Sequence, residues 1–193
     1  RLVSVGSSEV TAEVEREERF ERESPVVTVL QGLAKGSKLE VAVQKLVELG
    51  VDEIVIFVSG RSVPRHDERS AQKALDRWRS VAREAAKQSR RPWLPSVRGP
   101  LDLASAASVM EQSELRLVAD PDSSRSLRSA LSSGEVRSAA LVVGPEGGLD
   151  AHEIEKFVRK GAISVQLGPR ILRTETASLA LAAAVMFHGG RLG

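Results

Sequence analysis

Apolar positions follow two rhythms along this chain. In residues 1–14, RLVSVGSSEVTAEV, apolar and polar residues alternate on both sides of GSSE. That period-two pattern predicts a β-hairpin in which Leu2, Val3 and Val5 face Val10, Ala12 and Val14 across a turn. A lone hairpin is marginal in water, so this one is expected to belong to a small β domain. Residues 15–24, EREERFERES, read as a charged connector or an exposed edge strand.

From Pro25 onward strands and helices take turns. PVVTVL is a short, nearly all-apolar strand, and SKLEVAVQKLVELG places Leu39, Val43, Leu46 and Val47 on one helical face, with Gly50 as a stop. DEIVIFV predicts a second buried strand. A long helix is predicted over 67–89, with Ala71, Leu75, Trp78, Ala82 and Ala85 on one side and Pro92 and Pro95 beyond its end. LDLASAASVM reads as a helix, LRLVAD as a strand and SRSLRSALSS as a helix. AALVVG, HEIEKFVRKG and AISVQLG form a strand–helix–strand unit, and TETASLALAAAVMF is a closing helix rich in small residues. Helices interposed this regularly imply parallel strands covered on both faces. The predicted class is α/β, with residues 1–24 as a fragment of one domain and 25–193 as a second.

Composition narrows the chemistry. Hydrophobic residues at 41% suffice for a sizeable core, but aromatics are only 3% and Tyr is absent, which argues against an aromatic platform for stacked bases. A net charge of +2 is compatible with RNA without being diagnostic of it, even with a sequence pI near 9.2. The lack of Cys removes disulfides, thiolate metal sites and a cysteine nucleophile. His66, His152 and His188 lie far apart, so no metal site is expected. ASLALAAAVMF falls short of the roughly 18 apolar residues of a membrane span and reads as a core helix. With no signal peptide visible, a cytoplasmic location away from membranes is the expectation. The chain begins without Met, and native residues preceding it are expected.

The stretch LVVGPEGGLDAHEIE at 141–155 raises the question of chemistry. It is neither the dinucleotide fingerprint nor a P-loop, and Glu146 would repel a phosphate. Asp150 and Glu153 have capping-box spacing, which accounts for the helix start. Gly144, Pro145, Glu146, Gly147 and Gly148 exceed what a plain strand-to-helix turn needs. AISVQLGPRILRTETASLA at 162–180 repeats the design, with Gly168-Pro169 after a strand. Two such loops are expected to leave the same end of two neighbouring strands. Ligands of open α/β sheets sit outside those carboxyl ends, and bared main chain there suits an adenine ring.

VVGPEGGLDAHEIE followed by LGPRILRTETASLAL resembles the SPOUT methyltransferases, and more narrowly the bacterial family that methylates N3 of a uridine in 16S ribosomal RNA. GLAKGSKLEVAVQKLVELGVDEIVIFVSGRSVPR is similar to that family's first α/β unit, and RWRSVAREAAKQSRRPWLPSV to its next helix and strand. The resemblance implies a C-terminal deep trefoil knot, and it makes residues 1–24 the last strands of an N-terminal PUA-like β-barrel. It also implies S-adenosylmethionine as methyl donor. Gly144, Pro145, Glu146, Gly147 and Gly148 would form one wall of its pocket. Leu167, Gly168, Ile171, Leu172 and Arg173 would form the other, with Ala119 and Asp120 of LVADPD alongside. The glycines would keep Cβ atoms away from the cofactor.

Glu175 is then the candidate general base and Arg173 the group that steadies developing charge. The plainer alternative is that the two simply pair at the start of the last helix. Residues 67–91 carry eight Lys/Arg against four Asp/Glu. A solvated face competes there with a phosphate-tracking surface. Arg61, Arg65, Arg77 and Arg91 are the candidate RNA contacts, and Gln44, Lys45 and Gln88 either line the substrate pocket or face solvent. Related enzymes imply a homodimer. Two alternatives stay open: a SPOUT ribose 2′-O-methyltransferase, and an RNA-binding assembly factor without catalysis.

Overall fold

Alternate residues of each central strand feed two separate cores. The computed structural model describes residues 1–61, 68–131 and 134–192. Strands β1 (Leu2–Val5) and β2 (Val10–Ala12) form the antiparallel hairpin, pairing Leu2 with Ala12 and Val5 with Val10. Residues 15–24 are an exposed connector without strand structure. The chain then enters β3 (Val26–Gly32), α1 (Lys38–Leu49), β4 (Glu53–Phe57), α2 (Glu68–Gln88) and β5 (Ser96–Leu101). It continues through α3 (Leu103–Met110), β6 (Leu115–Ala119), α4 (Leu127–Ala130), β7 (Ser138–Val143), α5 (Ala151–Arg159), β8 (Ile163–Val165) and α6 (Thr174–His188). The six strands from β3 on form one parallel sheet in the order β5-β4-β3-β7-β6-β8.

Val27 and Val29 of β3, Ile54 and Ile56 of β4, and Leu141 and Val143 of β7 pack against α1, α2 and α6. Leu30, Val55, Phe57, Ala140 and Val142 point the other way, onto Ala106, Ala107 and Met110 of α3 and Phe157 of α5. The predicted α/β class with both faces covered is what these two cores express. The small residues of α6 serve one of them: Ala177, Leu181, Ala182, Val185 and Met186 are buried there. Among the described residues, no helix is long and apolar enough to cross a membrane. Gly50 stops α1 in the left-handed region at φ 113°.

Three details differ from the pattern read along the sequence. Leu101 belongs to β5, and α3 begins only after the Asp102 cap, whose side chain accepts from Ser105 N. Of the serine-rich segment read as a helix over 124–133, residues 132 and 133 lie outside the described residues, and the rest holds a single helical turn, α4, with Leu127, Ala130 and Leu131 packed inward. Strands β7 and β8 are also not neighbours, since β6 lies between them, with Leu117 opposite both Leu141 and Ile163. Hydrophobic period reports that a strand is buried but not which strand lies beside it.

Candidate active site

The carboxyl ends of β7, β6 and β8 share one edge of the parallel sheet, and the loops leaving them hold the singled-out residues. After β7 the chain turns at once, with Gly148 N donating to Pro145 O at 2.8 Å. A Cβ on Gly144 would lie 2.9 Å from Leu149 N, and one on Gly147 3.2 Å from Arg61 Cβ. At the end of β3, a Cβ on Gly32 would lie 2.5 Å from Pro145 N. Gly144 is therefore held to glycine by the packing of the bend against its own backbone, and Gly147 stands close against the Arg61 side chain, a reason for small residues besides the expected cofactor. Gly148 (φ 70°) and Gly168 (φ 135°) differ: the space a Cβ would take is open, and the backbone conformation favours glycine.

The capping box forms as expected. Asp150 Oδ1 accepts from Glu153 N at 2.8 Å and Glu153 Oε2 accepts from Asp150 N at 2.9 Å. The second Glu153 oxygen accepts from Gly60 N at 2.7 Å, which ties the β4–α2 loop to the same bend.

Glu146 is exposed at the bend, but its carboxylate is engaged by the neighbouring loop. Its carboxylate accepts from Lys35 N at 3.1 Å and pairs with Lys38 Nζ at 3.1 Å, so it clasps the β3–α1 loop to the β7–α5 loop. Burial would raise its pKa, but the Glu146 amide, the Lys38 ammonium and the Lys35 amide together outweigh that and hold it below the ordinary glutamate value.

The opening of α6 is bolted to this bend. Thr174 Oγ1 donates to Gly144 O at 2.6 Å and accepts from Gln31 Nε2 at 2.7 Å, and both side chains are buried. Gln31 and Thr174 were not singled out as site residues. A lone amide in the apolar run PVVTVLQG was the available signal. Arg173 sits exposed at the N-cap without a side-chain cap bond, and no ion pair joins it to Glu175 among the described residues. The plain pairing of these two is thus not what the structure contains. Glu175 is half-buried, and its Oε2 is buried without a hydrogen-bond partner among the described residues. Leu167 and Leu172 pack on the core, while Ile171 is 87% exposed.

At the end of β6, Ala119 is half-buried. Asp120 Oδ2 accepts from Ser164 Oγ at 2.8 Å and its Oδ1 from Asp122 N at 3.0 Å. Asp120 therefore fastens β6 to β8.

The candidate RNA contacts are scattered. Arg61 donates to Gly147 O at 2.7 Å and so belongs to the Gly-Pro bend. Arg65 lies outside the described residues. Arg77 pairs with Glu40 at 2.8 Å across α2 and α1 and remains exposed. Arg91 donates to Val47 O at 3.1 Å and Val51 O at 2.8 Å, which caps the end of α1. Burial lowers its pKa, with Asp52 opposing and Arg191 assisting. Gln44 and Lys45 both bind Glu48 along the exposed face of α1, at 2.9 and 2.7 Å. Gln88 is exposed at the far end of α2. Because α1 and α2 run back against the strands, Arg91 and Gln88 lie at the amino edge of the sheet, away from Gly144. Gln44, Lys45 and Gln88 thus face solvent in this chain, the second of the two placements expected for them. Among the described residues, no group of three or more His, Asp or Glu could hold a metal ion.

Residues 22–186 match the family described as the RNA methyltransferase domain. This chain belongs to that RNA methyltransferase family. Within it, the ribosomal RNA small subunit methyltransferase E of Bacillus subtilis is 36% identical over 194 residues, covering 97% of this chain and 76% of the relative. The protein of the same name from Mycobacterium bovis is 35% identical over 175 residues, covering 83% of this chain and 63% of the relative. The chain thus spans less than two thirds of the mycobacterial relative. A crystal structure of the Neisseria gonorrhoeae small subunit methyltransferase E, bound to S-adenosyl methionine, superposes with a TM-score of 0.82. It is 34% identical and covers 96% of this chain and 76% of that one.

Proposed function

We propose that this RNA methyltransferase transfers the methyl group of S-adenosylmethionine to N3 of a uridine in the 16S RNA of the small ribosomal subunit. It acts in the cytoplasm as a homodimer. The observation that carries this is the meeting of the 144–148 bend with the opening of α6, fixed by the 2.6 Å bond from Thr174 to Gly144 O. That bond sets Arg173 and Glu175 beside bared backbone at the carboxyl edge of a parallel sheet, where such folds bind ligands. The similarity to small subunit methyltransferases, one of them with the cofactor bound, supports both substrate and donor.

The residues present fit the cofactor. Gly148 and Gly168 offer main chain with open space where a Cβ would stand, and Gln31 Oε1 and Glu175 Oε2 are buried acceptors without a donor among the described residues. S-adenosylmethionine supplies, when bound, a methyl carbon made electrophilic by its sulfonium. Backbone of 144–148 and 167–172 would hold it, with Ala119 and Asp120 at the side. Glu175 Oε2 would take the imide proton from uridine N3, a role that typically contributes about 10²–10⁴-fold. Arg173, exposed and without an ion pair among the described residues, would balance charge on the uracil oxygens or a neighbouring phosphate.

Gln166 N donates to Arg125 O at 2.9 Å and Gln166 O accepts from Leu127 N at 3.1 Å. This close lacing of 166 with 125–127 supports reading the C-terminal part as the deep trefoil knot. Residues 1–24 are read as the end of a PUA-like barrel, whose further strands would cover Leu2, Val5 and Val10, now 57–70% exposed.

Titration calorimetry with S-adenosylmethionine is the first test, because a purely RNA-binding assembly factor gives no heat. Nucleoside digestion of methylated 16S RNA then separates the outcomes by mass fragmentation. 3-Methyluridine supports the proposal, and 2′-O-methyluridine overturns its choice of target atom.

A further inference from the structure

The geometry points to a second site beside the first: the groove between the 33–36 loop, the start of α1 and α2 seats a nucleotide flanking the target uridine on the same RNA strand. This rests on the proposed function and names the substrate contact it lacks. The groove encloses about 450 Å³, within the ~300–1,000 Å³ usual for small-molecule sites. Its floor is apolar, formed by Leu33, Leu39 and Trp78, each nearly buried. Its rim carries Lys35, Lys73 and Arg77 against one carboxylate, Glu40, which Arg77 already neutralises. Lys35 engages the protein through its backbone amide, and Lys73 has neither a hydrogen bond nor an ion pair among the described residues.

An apolar floor bordered by Lys35 and Lys73, whose ammonium groups can reach outward, matches an unstacked nucleotide with its phosphates. Position supports the same occupant. Lys35 N is 3.1 Å from Glu146 Oε1, so the groove shares a wall with the bend that borders the proposed cofactor pocket. A strand presenting its target uridine to Glu175 would have a neighbouring nucleotide within reach of this wall.

The test uses the full chain and a 16S RNA fragment carrying the target uridine, read by fluorescence anisotropy, which needs no turnover. Lys73→Glu and Lys35→Glu should each weaken RNA binding about fivefold or more. Each should also reduce the slope of log affinity against log salt by about one. Lys73→Arg should restore both, Lys156→Glu on the exposed face of α5 should change neither, and S-adenosylmethionine affinity should stay level in the Lys73 and Lys156 variants. With 4-thiouridine next to the target, crosslinks should map to residues 73–78. Unchanged affinity and slope in the Lys35 and Lys73 variants, or crosslinks confined elsewhere, overturn the subsite and leave the methyl-transfer proposal standing. Absence of S-adenosylmethionine binding in the wild type would instead strike the proposed function, while the anisotropy result still decides the groove.

Discussion

Glu175 and Thr174 are adjacent, yet they perform separable tasks. Glu175→Gln keeps the shape of the side chain and removes its basicity, so turnover should fall about 10²–10⁴-fold while calorimetry shows cofactor binding intact. Wild-type turnover under saturation would strip Glu175 of its role. Thr174→Val is nearly isosteric but leaves the buried Gly144 carbonyl and the Gln31 amide without their shared hydroxyl. Stranding buried polar groups costs about 1–3 kcal/mol, visible as a lowered denaturation midpoint. Gln31→Leu should cost less, because it also removes Oε1, which already lacks a partner. Equal losses in the two variants would show that the hydroxyl is not the linchpin. Glu146 adds a pH signature. Its folded pKa is depressed, so the clasp is fully present above the ordinary glutamate value of about 4.3 and is lost as pH falls through the lower folded value. Cofactor affinity should be level from neutrality down to the ordinary glutamate value and drop only below it. Glu146→Gln should bind several-fold more weakly at pH 7 and lack the acid limb.

Gly32 shows how one element disciplines another. It ends β3, and a Cβ there would meet Pro145 N at 2.5 Å, backbone that cannot swing aside. Gly32→Ala should therefore push the 144–148 bend outward, with cofactor affinity down more than tenfold while far-UV circular dichroism is unchanged. Retained affinity would mean that the bend is not part of the pocket. The existence of these elements was legible in the sequence because burial imposes period: Val27 and Val29 against Leu30 in β3, Leu39 and Val43 in α1, and the Asp150–Glu153 box opening α5. The Gly-Pro loops were legible too, since so many residues without side-chain reach cannot all serve one turn. What period does not carry is adjacency across the sheet, which is why β6 between β7 and β8 escaped notice. Nor does it carry the fate of charge. Arg91 and Arg61, singled out as RNA contacts, also donate to carbonyls at the end of α1 and at Gly147, which a period cannot foretell.

At the scale of the whole molecule, α6 is used on more than one side. Its inner face fills the core through Leu181, Ala182 and Val185. Ala180 and Phe187 are exposed, Leu179 and Ala183 half-buried, and helical spacing brings these four together on another face. Phe187 is 70% exposed, and Ile171, in the loop that enters the same helix, is 87% exposed. Apolar side chains left in water at the two ends of this helix would give the proposed homodimer a physical motive, since burying a large one stabilises by about 1.5–3 kcal/mol. Phe187→Asp would place a charge in that interface and should shift sedimentation to the monomer. The fold should survive, because nothing in the core depends on this side chain. If the interface also braces the 167–173 loop, the monomer should lose cofactor affinity in parallel. A Phe187→Asp dimer of unchanged stability would move the interface elsewhere, and a fully active monomer would show that each subunit completes its own site.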